Sequence, residues 1–199
     1  SVGQRDNQMQ SNVVSQIPNG TIVIVKDAVP NDAQDFSFNL TNGGTINQNF
    51  SLDDDSDATL PNSQTFSVPP GTWTASELNI PSGWGLTNVA CSVSGTNGSS
   101  FQVSGANAVI TLLSGTNSGD TVTCTYTNTR NTGSLRILKT VSNPGGATLP
   151  ASFTVNYNCG AGYTGSVTVA PGSPATVANI PTGSTCTVTE VTLDPISGY

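Results

Sequence analysis

The stretch GTIVIVKDAV begins at Gly20 and GSLRILKTVS at Gly133, and the two run in step: Lys26 falls opposite Lys139 and Glu77 opposite Glu190, at a common offset of 113 residues. A repeat of that length means tandem copies of one unit rather than a single large domain. Each copy opens on a strand-like run, continues through an aromatic strand (DFSFNL, ASFTVNY), passes a Pro-Gly turn and reaches the strand that carries the glutamate. The first copy goes on through NVACSVSG, FQVSG, AVITLL and TVTCTYTNTR. Roughly seven or eight such strands in about 110 residues make a small β-sandwich. The expected division is a leader at 1–19, a first module at 20–130 and a second at 133–199, joined by the short polar linker NTRNTG (128–133). Adding the offset to Asn128 runs past Tyr199, so the second module is expected to lack its closing strands. An edge left open in this way asks for further chain or for a strand from a neighbour. The leader, with Met9, Val13, Val14 and Ile17, is a possible donor of that strand, and Ser1 reads as a processed N-terminus.

Charge and cysteine usage narrow the function. The chain has 5 Lys+Arg against 12 Asp+Glu, a net charge of −7, so nothing forms the basic footprint of a nucleic-acid or anionic-membrane binder. No run of apolar residues approaches a membrane span. There is no histidine, which removes Ser-His-Asp and Cys-His catalysis and the HExxH zinc site. A carboxylate-only hydrolase would remain. The four cysteines lack CxxC spacing and fall two to each half, so tandem modules favour Cys91 with Cys124 and Cys159 with Cys186 among the three possible connectivities. Disulfides imply an oxidising, extracellular compartment.

From Gly20 to Tyr199 the chain resembles the prealbumin-like modules, similar to collagen-adhesin B-type and SpaA-type repeats, of bacterial surface proteins. In the first copy GTIVIVKDAVPNDAQDFSFNL, the run from FSLDDDSD to NIPSGW, and TVTCTYTNTR carry the likeness; in the second, GSLRILKTV, FTVNYNC and STCTVTE look like a related repeat of actinobacterial surface proteins. The glutamate strand with its Pro-x-Gly-aromatic turn matches the family's E-box. The resemblance implies an all-β fold of tandem transthyretin-like or reverse-immunoglobulin sandwiches, strung into stalks, pilus subunits and adhesin shafts. It also implies an intramolecular isopeptide bond between a first-strand lysine and a last-strand Asn or Asp, with the E-box glutamate as catalyst. Burial would lower the lysine's pKa and raise the glutamate's. Glu77 and Asn128 stand at the matching places, and Lys26 is the candidate amine. The family's lysine, however, lies about three residues earlier, at Val23 and Arg136 here, and an odd shift along an alternating strand is expected to turn Lys26 to the opposite face. The competing reading is that Glu77 and Glu190 accept backbone hydrogen bonds near their turns while the cysteines supply the covalent staple.

Asp53, Asp55 and Asp57 follow the D-x-D-x-D spacing of calcium loops, although Ala58 and Gln64 stand where an EF-hand wants Gly and Glu. A solvated acidic turn is the alternative, and calcium is the only cofactor the sequence raises. Trp73, Trp84, Tyr126 and Tyr199 could form a sugar platform, but strand-borne aromatics in a small sandwich are more often core. The sequons at Asn19, Asn39, Asn49 and Asn97 mark stretches expected to face solvent. The sequence therefore predicts a non-catalytic extracellular module of a bacterial surface stalk, pilus or filament. Its expected partners are copies of itself or further repeats of the same chain. The alternative is an adhesin module that grips a glycan or host protein.

Overall fold

A computed structural model describes residues 17–142, 145–146 and 148–191. Among these there is no helix. The strands are β1 (Gly20–Val29), β2 (Asp32–Thr41), β3 (Asn47–Asp54), β4 (Ser63–Val68), β5 (Gly71–Leu78), β6 (Trp84–Ser94), β7 (Ser100–Ser104), β8 (Asn107–Leu112) and β9 (Thr121–Arg130), followed by β10 (Thr132–Ile137), β11 (Phe153–Asn158), β12 (Thr164–Val169), β13 (Ala175–Pro181) and β14 (Thr187–Glu190). Contacts divide the chain into two compact units. The first runs to Ile80 and includes Leu86–Thr127; the second comprises Pro81–Gly85 and the chain from Asn128. The boundary falls inside the continuous strand β9.

The first unit is a sandwich of two sheets, ordered β4-β1-β9-β6 and β3-β2-β5-β8-β7. Its core is set by period-two alternation on both sheets. Ile22 and Ile24 of β1 and Val122, Cys124 and Tyr126 of β9 point inward from one sheet. Phe36, Phe38 and Leu40 of β2, Trp73 and Ala75 of β5, and Ile110 and Leu112 of β8 point inward from the other. Phe38 meets Tyr126 edge-on at 5.2 Å between ring centroids, an arrangement that suits the aromatic quadrupoles. The Tyr126 hydroxyl donates to the Ala75 carbonyl at 2.9 Å, so the ring that fills the core also satisfies its one polar atom across the sheets. Trp73, Trp84 and Tyr126 are all buried, which makes them core residues rather than a sugar platform; Tyr199 lies outside the described residues. The leader lies outside them too, apart from its last residues, of which Ile17 is exposed.

The second unit repeats the first half of this pattern. In the first unit β1 pairs with β4, β2 with β3, and β2 with β5. In the second, β10 pairs with β13, β11 with β12, and β11 with β14. Its core is small: Ile137, Val155 and Val169, flanked by Leu135, Val167 and Ala175. Nothing among the described residues corresponds to β6–β9. The expected polar linker is instead tied down inside this unit, with the Asn131 amide donating to the Gly83 carbonyl at 2.8 Å and its carbonyl accepting from the Thr182 amide at 3.0 Å.

Each unit has one disulfide. Cys91 on β6 joins Cys124 on β9, and Cys159 after β11 joins Cys186 before β14, spanning 33 and 27 residues. Closing loops of that size takes about 3–4 kcal/mol of entropy from the unfolded chain in each case. Peptide mapping without reductant is expected to recover these two linkages, and reduction to lower each unit's unfolding free energy by about that amount. A Cys91–Cys159 linkage would break the division into two units.

Candidate functional site

Three of the buried polar side chains lie on β1, β5 and β9, the last, Asn128, on the part of β9 that the contacts assign to the second unit. Lys26 is 1% exposed, Glu77 5% and Asn128 0%. Each shares its strand face with core residues: Lys26 follows Ile22 and Ile24 on β1, Glu77 follows Trp73 and Ala75 on β5, and Asn128 follows Cys124 and Tyr126 on β9. Lys26 does lie on the face opposite Val23, as its shift predicts, but that face is the buried one, so the implication that the shift would take the lysine out of the core is corrected. β1 buries its even-numbered residues, and Val23 is on the other, less buried side. TIVIV offers apolar residues to both faces, so the local sequence carries no alternation from which the inner face could be read.

The Lys26 amine is well provided for. Its Nζ donates to the carbonyls of Asp27 at 2.8 Å and Tyr126 at 3.0 Å and lies 4.1 Å from the centre of the Phe36 ring. Burial pulls its pKa from 10.5 down to about 8, against the opposing influence first of the Glu77 carboxylate and then of Asp27 and Asp54. The Tyr126 phenol is pushed up, chiefly by burial and further by Glu77. Lys26, Tyr126 and Glu77 thus share one electrostatic environment, and about a tenth of the amine is neutral at pH 7, far more than for an ordinary lysine.

The corresponding pair of the second unit is in a different medium. Lys139 Nζ and Glu190 form an ion pair at 2.6 Å, with side chains 24% and 39% exposed, and Lys139 lies 4.6 Å from the centre of the Phe153 ring. Solvent-facing pairs of this kind contribute about 0–1 kcal/mol. The same residues at the same repeat position are buried in one unit and hydrated in the other.

Two acids stand out that the sequence reading passed over. Asp54 accepts from the Ala28 amide at 2.9 Å, anchoring β1 two residues beyond Lys26. Asp120, 1% exposed, accepts from the Asn97 and Ser99 amides at 3.0 Å each and from Asn97 Nδ2 at 2.9 Å. These bonds, led by the one from the Asn97 backbone, hold its pKa below the usual carboxylate value. Gly95, at φ 129°, leaves room for it, since a Cβ there would come within 2.0 Å of the Asp120 carboxylate. Asp120 has the same even-numbered parity as Val122, Cys124 and Tyr126, so alternation along β9 could have revealed it.

The acidic loop does gather its carboxylates: oxygens of Asp53, Asp55 and Asp57 lie within 4.8 Å of one another. They already have partners. Asp55 accepts from the Asp57 amide, Asp57 from the Thr59 amide and hydroxyl, and Asp53 from the same hydroxyl. Burial raises the Asp53 pKa, whereas the Thr59 hydroxyl lowers that of Asp57. The loop is thus built as a self-capped turn. Millimolar calcium is expected to leave the melting temperature essentially unchanged; a rise of several degrees that Asp53→Ala with Asp55→Ala removes would assign a cation to it.

Comparisons with known proteins agree with this architecture. A family model described as a prealbumin-like fold domain matches residues 22–130, and one described as a domain of unknown function (DUF5979) matches 135–199. No curated protein matches. The C-terminal fragment of the pilus adhesin SpaC from Lactobacillus rhamnosus GG has a similar fold (TM-score 0.51, 16% identity, covering 87% of this chain and 75% of that one). A Mobiluncus mulieris adhesin with disulfide, isopeptide and ester cross-links gives TM-score 0.40 at 18% identity, over 55% of this chain and 41% of that one. The major pilin of Streptococcus pyogenes gives 0.39 at 16% identity, over 89% and 83%. The chain spans about two fifths of the length of the Mobiluncus adhesin it matches. Because the first match covers more than half of the sequence, the chain belongs to the family of prealbumin-like fold domains.

Proposed function

We propose that the chain is a structural module of a bacterial surface stalk, pilus or filament, working outside the cell and without turnover, and that an amide bond between Lys26 of β1 and Asn128 of β9 locks these two neighbouring strands of one sheet together. The observation that carries this reading is the burial of a lysine, a glutamate and an asparagine on strand faces that otherwise carry core residues. Burying ionisable groups is expensive, and a fold that needs only a core would fill these positions with apolar side chains. The chemistry requires no outside reagent. The neutral Lys26 amine adds to Asn128 Cγ, the C–N bond to the side-chain nitrogen breaks, and ammonia leaves, so that one amide replaces another. Glu77 carries the proton from the attacking nitrogen to the departing one, and the event occurs once per molecule. All four cysteines are joined in disulfides, which suits an oxidising extracellular setting. The likeness to a pilus-adhesin fragment suits a shaft module equally well. Binding of a glycan or host protein by the isolated first unit would instead favour the adhesin reading.

Intact mass decides the cross-link. Beyond the loss of about 4 Da for two disulfides, the protein is expected to weigh about 17 Da less than its sequence, the mass of one ammonia. Lys26→Met, Glu77→Gln and Asn128→Ala are each expected to restore those 17 Da or so. Because the link would close a span of about 100 residues, its loss is expected to cost on the order of 4–5 kcal/mol. A wild-type mass without that deficit would refute the link.

The pH dependence gives an independent check. In Asn128→Ala the amine stays unlinked, and its folded pKa of about 8 lies below the ordinary 10.5. Between those values the unfolded chain binds more protons than the folded one, so stability is expected to rise with pH, by up to about 3 kcal/mol. Measurements should stop near pH 10, where tyrosine begins to titrate in the unfolded chain. Linked wild type has no amine to titrate and should lack this rise.

A further inference from the structure

We propose that β7 is a self-complementary edge, along which two copies of this chain join their five-stranded sheets in antiparallel fashion about a twofold axis at Gln102. The proposal stands apart from the covalent link and from the stalk reading. Three observations lead to it.

First, β7 is the terminal strand of its sheet, and all five of its residues are exposed. It pairs with β8 without a register shift and carries no proline or charge, so none of the usual devices blunts it. Of the other edges of this sandwich, β6 (WGLTNVACSVS) is likewise free of charge and proline but does not read alike in both directions, and the remaining two are protected. β4 is bracketed by Pro61 and by Pro69 and Pro70, while β3 ends in Asp53 and Asp54 beside an irregularity in its pairing with β2.

Second, charge is segregated. Residues 78–119 contain no Asp, Glu, Lys or Arg in a chain of net charge −7. The acidic edge at β3 is four strands from β7, or about 19 Å at the normal inter-strand spacing. Joining two copies through β7 would put their acidic edges about 43 Å apart, several Debye lengths at physiological salt.

Third, the strand reads nearly the same in both directions. In SFQVS, antiparallel pairing centred on Gln102 sets Ser100 against Ser104, Phe101 against Val103 and Gln102 against itself. The backbone agrees with this register. β7 and β8 are joined by a two-residue turn at Gly105 (φ 57°) and Ala106, which makes Ser104 and Asn107 the closing hydrogen-bonded pair. By alternation Ser100, Gln102 and Ser104 bond to β8, and the amides and carbonyls of Phe101 and Val103 point outward. Those are the residues that meet in the proposed pairing, as aromatic–β-branched cross-strand pairs. Phe101 and Val103 also lie opposite the buried Ile110 and Ala108 while remaining 38% and 41% exposed, so the joint would extend each core into its neighbour. An isologous contact of this kind closes at two copies.

Because every native cysteine is in a disulfide, an introduced one reports the contact. The Gln102 side chains would face each other in a non-hydrogen-bonded pair with Cα atoms about 4.5 Å apart, within disulfide range. Gln102→Cys is therefore expected to be captured as a covalent dimer under mild oxidation, with Asn47→Cys on the β3 edge left monomeric. Sedimentation of the unmodified chain should give a concentration-dependent monomer–dimer equilibrium that Val103→Lys, an exposed substitution, weakens at least tenfold. Equal capture of both cysteine variants, a monomer at millimolar concentration, or species growing beyond the dimer would each overturn the proposal.

Discussion

The first unit is organised around an amine that has to be buried. An ammonium group taken out of water costs several kcal/mol unless other polar groups take over from the solvent. Around Lys26 these are two backbone carbonyls, the face of Phe36 and the field of Glu77, drawn from β1, β9, β2 and β5. No single strand could provide this environment. β1 and β9 must be adjacent for the Tyr126 carbonyl to reach Nζ, and the second sheet must cover them for the phenylalanine and glutamate to count. Asp54, holding the Ala28 amide, fixes the end of β1 just beyond the lysine.

The second unit is the internal control for that argument. It has the same lysine, the same glutamate and an aromatic ring beside them, and it pairs its five strands as the first unit pairs its first five. The pair nevertheless faces water. With sheets of two and three strands and a core centred on three buried residues, nothing analogous to β9 or β8 lies over it among the described residues. Whether the lysine is driven toward its neutral form or sits in an ordinary surface ion pair is set by the solvent around it, because desolvation is what shifts an amine toward that form.

The two disulfides stand in different surroundings for a related reason. Cys124 is fully buried in a well-filled sandwich, where its bond to Cys91 ties the edge strand β6 to its neighbour β9. In the second unit the link from Cys159 to Cys186 reinforces a much smaller core. Small domains bury too little surface to be stabilised by packing alone, so a covalent constraint on the unfolded chain matters more there.

Much was legible in the sequence. The repeat offset gave the tandem organisation, alternation and turn residues gave strands rather than helices, and the two-per-half cysteine distribution singled out one connectivity among three. Glu77 and Asn128 could be marked from motif position alone. The face of Lys26 could not. β1 lies inside its sheet and, beyond Thr21, TIVIV is apolar on both sides, so it offers too little polarity to tell inside from outside, and only the packing of the second sheet against even-numbered residues decided it. Asp54 was hidden for a similar reason, and for Asp120 alternation along β9 pointed to burial but not to the partners that satisfy it. A carboxylate in the sequence is an exposed charge by default, and it becomes a buried acceptor only when distant amides, Ala28 in one case and Asn97 and Ser99 in the other, are brought to it. Periodicity is a local property that the sequence determines. Which of two apolar faces is covered, and which charges lose their water, are long-range properties that only the closed sandwich fixes.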